Sequence, residues 1–183
     1  MNTLSDNSLM LRVKEGDVQK LGLLYERYKK RLFGFFYQMN RNADLSEDLV
    51  QNVFMKILKY KHTYTEESNF VVWVFQIARN TSYDSFKKNK ASMYKDIDDV
   101  GHLINANDDI HGSIAKRENM ITLKRAIEML SPEQKELIVL SKFKELKYKE
   151  LGEIVGCTEG NARIKVHRAL NQLKDIFLTL EKR

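Results

Sequence analysis

Proline and cysteine are almost missing from this 183-residue chain, which holds one of each, Pro132 and Cys157, and only eight glycines. A lone cysteine excludes an internal disulfide framework. The four histidines (His62, His102, His111 and His167) have neither cysteine partners nor metal-ligand spacing, so no structural metal is expected. So few breakers leave little material for hairpins and tight sheet corners, and long stretches of Leu, Lys, Glu, Met and Ala point to an all-α chain. Long apolar runs are also lacking: the longest, Phe70 to Phe75, falls far short of the ~20 residues a membrane span needs. The first ten residues carry no basic start leading into an apolar stretch, so no secretory signal is read and a cytoplasmic protein is expected. No phosphate-cradling glycine loop, metal cluster or nucleophile–base set is present. An enzyme, a cofactor and a small-molecule substrate are therefore not expected.

What is present is a globular balance, 43% hydrophobic and 31% charged, well away from that of a disordered chain. The length suits two small domains, each just able to bury its own core. A formal charge of +6 favours a polyanionic partner, although basic proteins without one are common.

Leu21, Leu24, Tyr25, Tyr28, Leu32, Phe35 and Met39 recur at three- and four-residue steps, which predicts a helix over 18–39 with Asp17 as its cap. A second helix is predicted over 45–60. Asp44 and Glu47 have capping-box spacing, and Leu49, Val53, Ile57 and Tyr60 form its buried stripe; Glu47, Asp48, Gln51 and Asn52 fall on the other face. Periodicity fails over 61–69, which reads as a loop, and resumes in a helix over 70–90. On a helical wheel Trp73 turns inward, while Gln76, Arg79, Tyr83, Phe86, Lys87 and Lys90 share the outward arc. Rings mixed with bases suit single-stranded nucleic acid, since bases stack on rings and cations track phosphates.

Residues 91–119 lose the period and hold Asp96, Asp98, Asp99, Asp108 and Asp109 with no Lys or Arg among them, as an interdomain linker does. The stripe resumes with Leu123, Ile127 and Leu130. Ser131-Pro132-Glu133-Gln134 then supplies an N-cap, a proline at the first helical position and a glutamine at the third. Two helices follow, 148–155 closed by Gly156 and 158–180 capped by Thr158.

A short helix joined to a long one across a tight, glycine-containing turn is the pattern of a helix-turn-helix, although plain helical hairpins share it. The long helix sets Ala162, Val166, Ala169, Leu173 and Phe177 toward the core. Gly160, Asn161, Arg163, Ile164, His167, Arg168 and Asn171 face away. Arg163 and Arg168 can fork onto guanine or clamp phosphate, Asn161 can read an adenine edge, and Ile164 can touch a thymine methyl. Gly160 costs helix stability but lets the backbone approach a phosphate at the helix N-terminus. Lys142, Lys144, Lys147 and Lys149 can hold the flanking backbone.

The run Gly160-Asn161-Ala162-Arg163-Ile164-Lys165-Val166-His167-Arg168-Ala169 resembles the promoter-binding domain of extracytoplasmic-function sigma factors. Leu45-Ser46-Glu47-Asp48-Leu49-Val50-Gln51-Asn52-Val53-Phe54, followed by Trp73 and by Ile77-Ala78-Arg79-Asn80, resembles the N-terminal domain of the same family. The resemblance implies a region 2 domain over 1–92, a flexible linker over 93–116 and a region 4 domain over 117–183. It implies core RNA polymerase and promoter DNA as partners, with an anti-sigma factor as a further candidate. Asp44, Glu47, Asp48 and Gln51 would then bind polymerase. Tyr64, Asn69, Gln76, Arg79, Asn80, Tyr83 and Lys87 would open and hold the −10 element, and the outward arc from Gly160 to Asn171 would read the −35 element. The linker aspartates would mimic a nucleic-acid backbone or merely keep a tether solvated, and both readings stay open. Ala162 and Ile164 depart from the family's common residues, which bears on promoter preference. The rival reading is a free-standing helix-turn-helix regulator, usually a symmetric dimer on duplex DNA.

Overall fold

The computed structural model describes residues 4–93, 114–143 and 146–182, and among them it holds helices and no strand. No helix there is long and apolar enough to cross a membrane. The first helix, α1 (Asp6–Glu15), has no counterpart among the expected elements. Ser5 caps it by accepting the Ser8 N–H, and Gly16, with φ 115°, ends it in the left-handed region that favours glycine. Leu9, Met10 and Val13 bury its inner face completely.

Helices α2 (Lys20–Asn40) and α3 (Ala43–Tyr60) form an antiparallel pair. Asp17 is not the cap of α2. Its N–H closes α1 by donating to the Arg12 carbonyl at 2.9 Å, and its carboxylate pairs with Lys20 at 3.7 Å. The cap of α3 is likewise Asn42, not Asp44, with the Asn42 side chain accepting the Leu45 N–H at 2.9 Å. A single turn of 3₁₀ helix (Lys61–Thr63) and a loop lead into α4 (Phe70–Met93). Leu24, Leu32, Phe35, Phe36, Phe70 and Phe75 fill the space between these helices, each fully buried. Each aromatic so buried contributes roughly 1.5–3 kcal/mol before entropy is set against it.

The C-terminal half comprises α5 (Ile114–Glu128), α6 (Pro132–Ile138), a π-helical turn (Val139–Phe143), α7 (Tyr148–Val155) and α8 (Glu159–Glu181). The expected capping box opens α6: Ser131 Oγ accepts the Gln134 N–H at 3.3 Å and Gln134 Oε1 accepts the Ser131 N–H at 3.2 Å. Residues 94–113, most of the expected linker, lie outside the described residues. One expectation about packing changes here. A small core of its own, built on Ala126, Ile127, Leu130, Ile138, Ala169 and Leu173, holds α5 to α8. The rest of the C-terminal apolar surface, Leu137, Leu140, Leu146, Leu151 and Ile154 among it, is continuous with the N-terminal core. In this arrangement the two halves do not bury wholly separate cores.

Candidate nucleic-acid interface

The turn between α7 and α8 is built by two glycines with different duties. Gly156, at φ 77°, ends α7, and the Cys157 N–H reaches back to the Gly152 carbonyl at 2.8 Å. Gly152 lies inside α7 under that same turn. A Cβ there would stand 2.6 Å from the Cys157 carbonyl oxygen, so the backbone of the turn would have to shift. Thr158 then caps α8 by accepting the Asn161 N–H at 3.3 Å.

Of the stripe expected for α8, Ala162, Val166 and Ala169 are fully buried, Leu173 nearly so and Phe177 only partly. Gly160, Asn161, Arg163, Ile164, His167, Arg168 and Asn171 are all exposed on the opposite arc. Ile164 leaves 50% of its surface in water, on the same arc as the polar and basic residues. Arg163 lies 3.4 Å from Glu159 and over the Tyr148 ring, while Arg168 has no ion-pair partner among the described residues. A Cβ added at Gly160 would meet nothing within 4 Å, so packing does not require glycine there.

On α3, Asp44, Glu47, Asp48, Gln51 and Asn52 are exposed as expected. Met55 continues the stripe of Asp48, Gln51 and Asn52 with 66% of its surface in water; its signal in the sequence was an apolar residue in phase with a polar face.

The loop and α4 depart further from the wheel. Tyr64 is fully buried, its hydroxyl donating toward Asn7 Oδ1 at 3.0 Å and the Ser68 carbonyl at 3.2 Å. Burial, with the Asp6 carboxylate adding to it, pushes that hydroxyl's pKa up to about 12. Its ring is therefore part of the core and cannot face a strand. Tyr60 errs the other way: expected in the buried stripe of α3, it is 43% exposed, because the helix ends there and the chain turns away. Trp73 is half-buried against Tyr64 and Phe70, with ring centroids 5.1 and 6.3 Å away. Its remaining surface joins Lys56, Tyr60, Gln76, Asn80 and Tyr83 around an open cleft of about 540 Å³. Asn69 is exposed at the mouth of α4, where its Oδ1 accepts the Val71 N–H at 3.0 Å. Lys87 is exposed, and the Lys90 side chain lies outside the described residues.

Gln76, Arg79 and Tyr83 leave the N-terminal core as expected, yet they meet the C-terminal helices. Gln76 Nε2 donates to the Glu153 carbonyl at 2.9 Å. Arg79 Nε lies 3.1 Å from both oxygens of Glu136, and the Tyr83 hydroxyl donates to one of them at 3.1 Å. Glu136 is only 2% exposed. Burial pushes its carboxyl above the ordinary value even though Arg79 and the two hydrogen bonds pull it down. Desolvation would lower Arg79, but the facing carboxylate outweighs it and the guanidinium is held more firmly charged.

This geometry combines an open basic arc on a helix-turn-helix, a ring-lined cleft beside a loop, and an acidic helix face. Residues 24–92 match sigma-70 region 2, and residues 121–173 match sigma-70 region 4. The RNA polymerase sigma factor CarQ of Myxococcus xanthus is 28% identical over 173 residues, covering 94% of this chain and 97% of CarQ. The ECF RNA polymerase sigma factor SigM of Bacillus subtilis is 29% identical over 158 residues, 84% of this chain and 93% of SigM. Among solved structures, the sigma factor RpoE in complex with the anti-sigma factor NepR, from Bartonella quintana, is 25% identical with a TM-score of 0.70, over 86% of this chain and 96% of that one. CnrH, solved with the cytosolic domain of CnrY, shares the fold at 17% identity and a TM-score of 0.72, over 95% of this chain and 97% of CnrH.

Proposed function

The chain belongs to the sigma-70 family, in its extracytoplasmic-function group, and from that premise we propose how its surfaces divide the work of an alternative sigma factor. It binds core RNA polymerase and directs it to particular promoters, and no chemical step falls to its own side chains. Residues 1–92 form the polymerase-binding and −10 domain, 117–183 form the −35 domain, and 93–116 join them. Working with RNA polymerase, the protein acts in the cytoplasm.

The observation that carries the reading is the α8 arc, seven exposed residues lying over a stripe that is buried. Such a helix, presented by a tight turn, fits the major groove, with Asn161, Arg163, Ile164 and Arg168 toward base edges and His167 and Asn171 beside the backbone. The N-terminus of α8 faces a phosphate near Gly160. On α3, Asp44, Glu47, Asp48 and Gln51 present carboxylates and an amide to polymerase, and Met55 adds an apolar anchor to that face. At the −10 element, Gln76, Arg79, Asn80, Tyr83 and Lys87 hold the displaced strand, with the cleft beside Trp73 and Tyr60 receiving a base. Asn69 joins them from the loop, whereas Tyr64 serves by shaping that loop. The solved neighbours RpoE and CnrH each carry a protein partner, which supports an anti-sigma factor as a regulator of this chain too.

The test is Arg168→Ala. It removes a cation that has no ion-pair partner among the described residues and should weaken binding to a −35 duplex by about tenfold, in the range of a lost base or phosphate contact, with core polymerase affinity unchanged. Equal loss of both affinities would defeat this division of labour.

A further inference from the structure

Helix α1 precedes the stretch that matches region 2, yet it holds the loop assigned above to the −10 strand. We propose that Asn7 is a positioning residue for promoter opening, fixing the 64–69 loop in the shape that receives the strand; this rests on the sigma-factor reading.

The carboxamide of Asn7 is used from both ends. Its Oδ1 accepts the Phe70 N–H at 3.0 Å and the Tyr64 hydroxyl at 3.0 Å, and its Nδ2 donates to the Ser68 carbonyl at 3.0 Å. One side chain thus ties the first residue of the loop to its last turn and to the start of α4. Lys14 adds a second tie from the same helix, donating to the Tyr64 carbonyl at 2.6 Å. The anchor is itself packed into the core. Leu9, Met10 and Val13 are fully buried, and Asp6 accepts the Tyr28 hydroxyl at 2.6 Å. Between the tied points, Thr65, Glu66 and Glu67 remain exposed, while Asn69, also exposed, turns its Nδ2 toward Glu150 of α7 at 3.4 Å.

A plain cap for α4 does not need this arrangement. Asn69 already caps the Val71 N–H, and two of the three Asn7 bonds, to the Tyr64 hydroxyl and the Ser68 carbonyl, act on the loop itself. A loop held in its bound shape avoids the ordering cost that a free loop would meet on taking up a strand. That saving applies only where the loop is used, at the −10 element.

The test takes the full chain with core polymerase and compares wild type, Asn7→Ala, Asn7→Asp and Tyr64→Phe. Promoter opening is read by fluorescence of 2-aminopurine in the −10 element, beside core affinity and −35 duplex affinity. Asn7→Ala should lower opening by about tenfold, as expected for one to two net hydrogen bonds, with the other two affinities within about twofold. Asn7→Asp keeps the two accepted bonds but sets a carboxylate oxygen against the Ser68 carbonyl in place of the donating Nδ2, so it should stay defective, and wild-type opening in it would overturn the role given to that bond. Tyr64→Phe removes a single hydroxyl from a ring that stays in place and should give a smaller defect, not additive with Asn7→Ala. Unchanged opening in Asn7→Ala overturns the proposal, as does loss of core and −35 binding in step with opening, which is the mark of a merely structural residue. Failure of the wild-type chain to bind core polymerase would instead remove the sigma-factor reading on which the proposal stands.

Discussion

At the scale of single residues, Gly160 separates what the fold needs from what the partner needs. Nothing in the protein occupies the space where its Cβ would go, and its helix would be firmer with alanine. Gly160→Ala should therefore raise thermal stability by about 0.5–1 kcal/mol while weakening −35 DNA binding, measured by melting and by duplex titration. A gain in both would show that no phosphate approaches there. The same scale shows where a helical wheel stops being informative. It placed every member of the α8 arc on the exposed face, because one face of that helix is covered and the other is not. Tyr64 and Tyr60 escaped it. The first lies in a loop, where periodicity says nothing, and the second sits on the last turn of a helix, where the covering neighbours have already diverged.

At the scale of elements, the helix-turn-helix was legible from its glycines and caps, and the observed Ser131 box and Thr158 cap fall where spacing places them. Helix α1 was not read. Its ten residues carry only three core positions, Leu9, Met10 and Val13, too few for a clear period, although Ser5 and Gly16 at its ends are sound start and stop signals. The neighbouring caps slipped for a related reason: several cap-capable residues stand side by side, and Asn42 wins over Asp44 because Arg41 has already turned the chain at φ 58°. The turn in the reading domain gives the prediction at this scale. Gly152→Ala drives a Cβ against the Cys157 carbonyl and should cost about 1–3 kcal/mol, lowering the melting temperature together with −35 binding while core affinity persists through α3. An unshifted melt would mean that the turn yields more easily than the contact implies.

At the scale of the whole molecule, the packing of α4 on α6 and α7 could not be read from either half. The outward arc of α4 was correctly separated from the N-terminal core, but sequence periodicity does not say whether an outward arc meets water or another domain. Here Gln76, Arg79 and Tyr83 are taken up by Glu153 and Glu136, so the strand-holding role proposed for them requires these groups to leave the C-terminal helices first. Removing the cation strands a buried carboxylate. Arg79→Ala should weaken the contact between the halves by roughly 2 kcal/mol, less than for a fully buried pair because the Arg79 side chain is 26% exposed. Adding Glu136→Gln should restore part of the loss. The sign with pH follows from burial: a carboxyl raised above its unfolded value of 4.5 destabilises the packed state once ionised, so that contribution worsens as pH rises from about 4.5 through its folded value. Labels on α4 and α6 should therefore separate more readily at pH 8 than at pH 5, more so in Arg79→Ala, with the difference gone in Glu136→Gln. A pH response that survives Glu136→Gln would assign it to other groups.

The central claim, that this chain is a sigma factor working through core RNA polymerase, is tested most directly by light scattering on a size-exclusion column with purified core enzyme. A one-to-one complex is predicted, stable enough to survive the column and lost when Asp48 and Met55 on α3 are both replaced. Separate elution of a folded, inhibitor-free chain would contradict the claim.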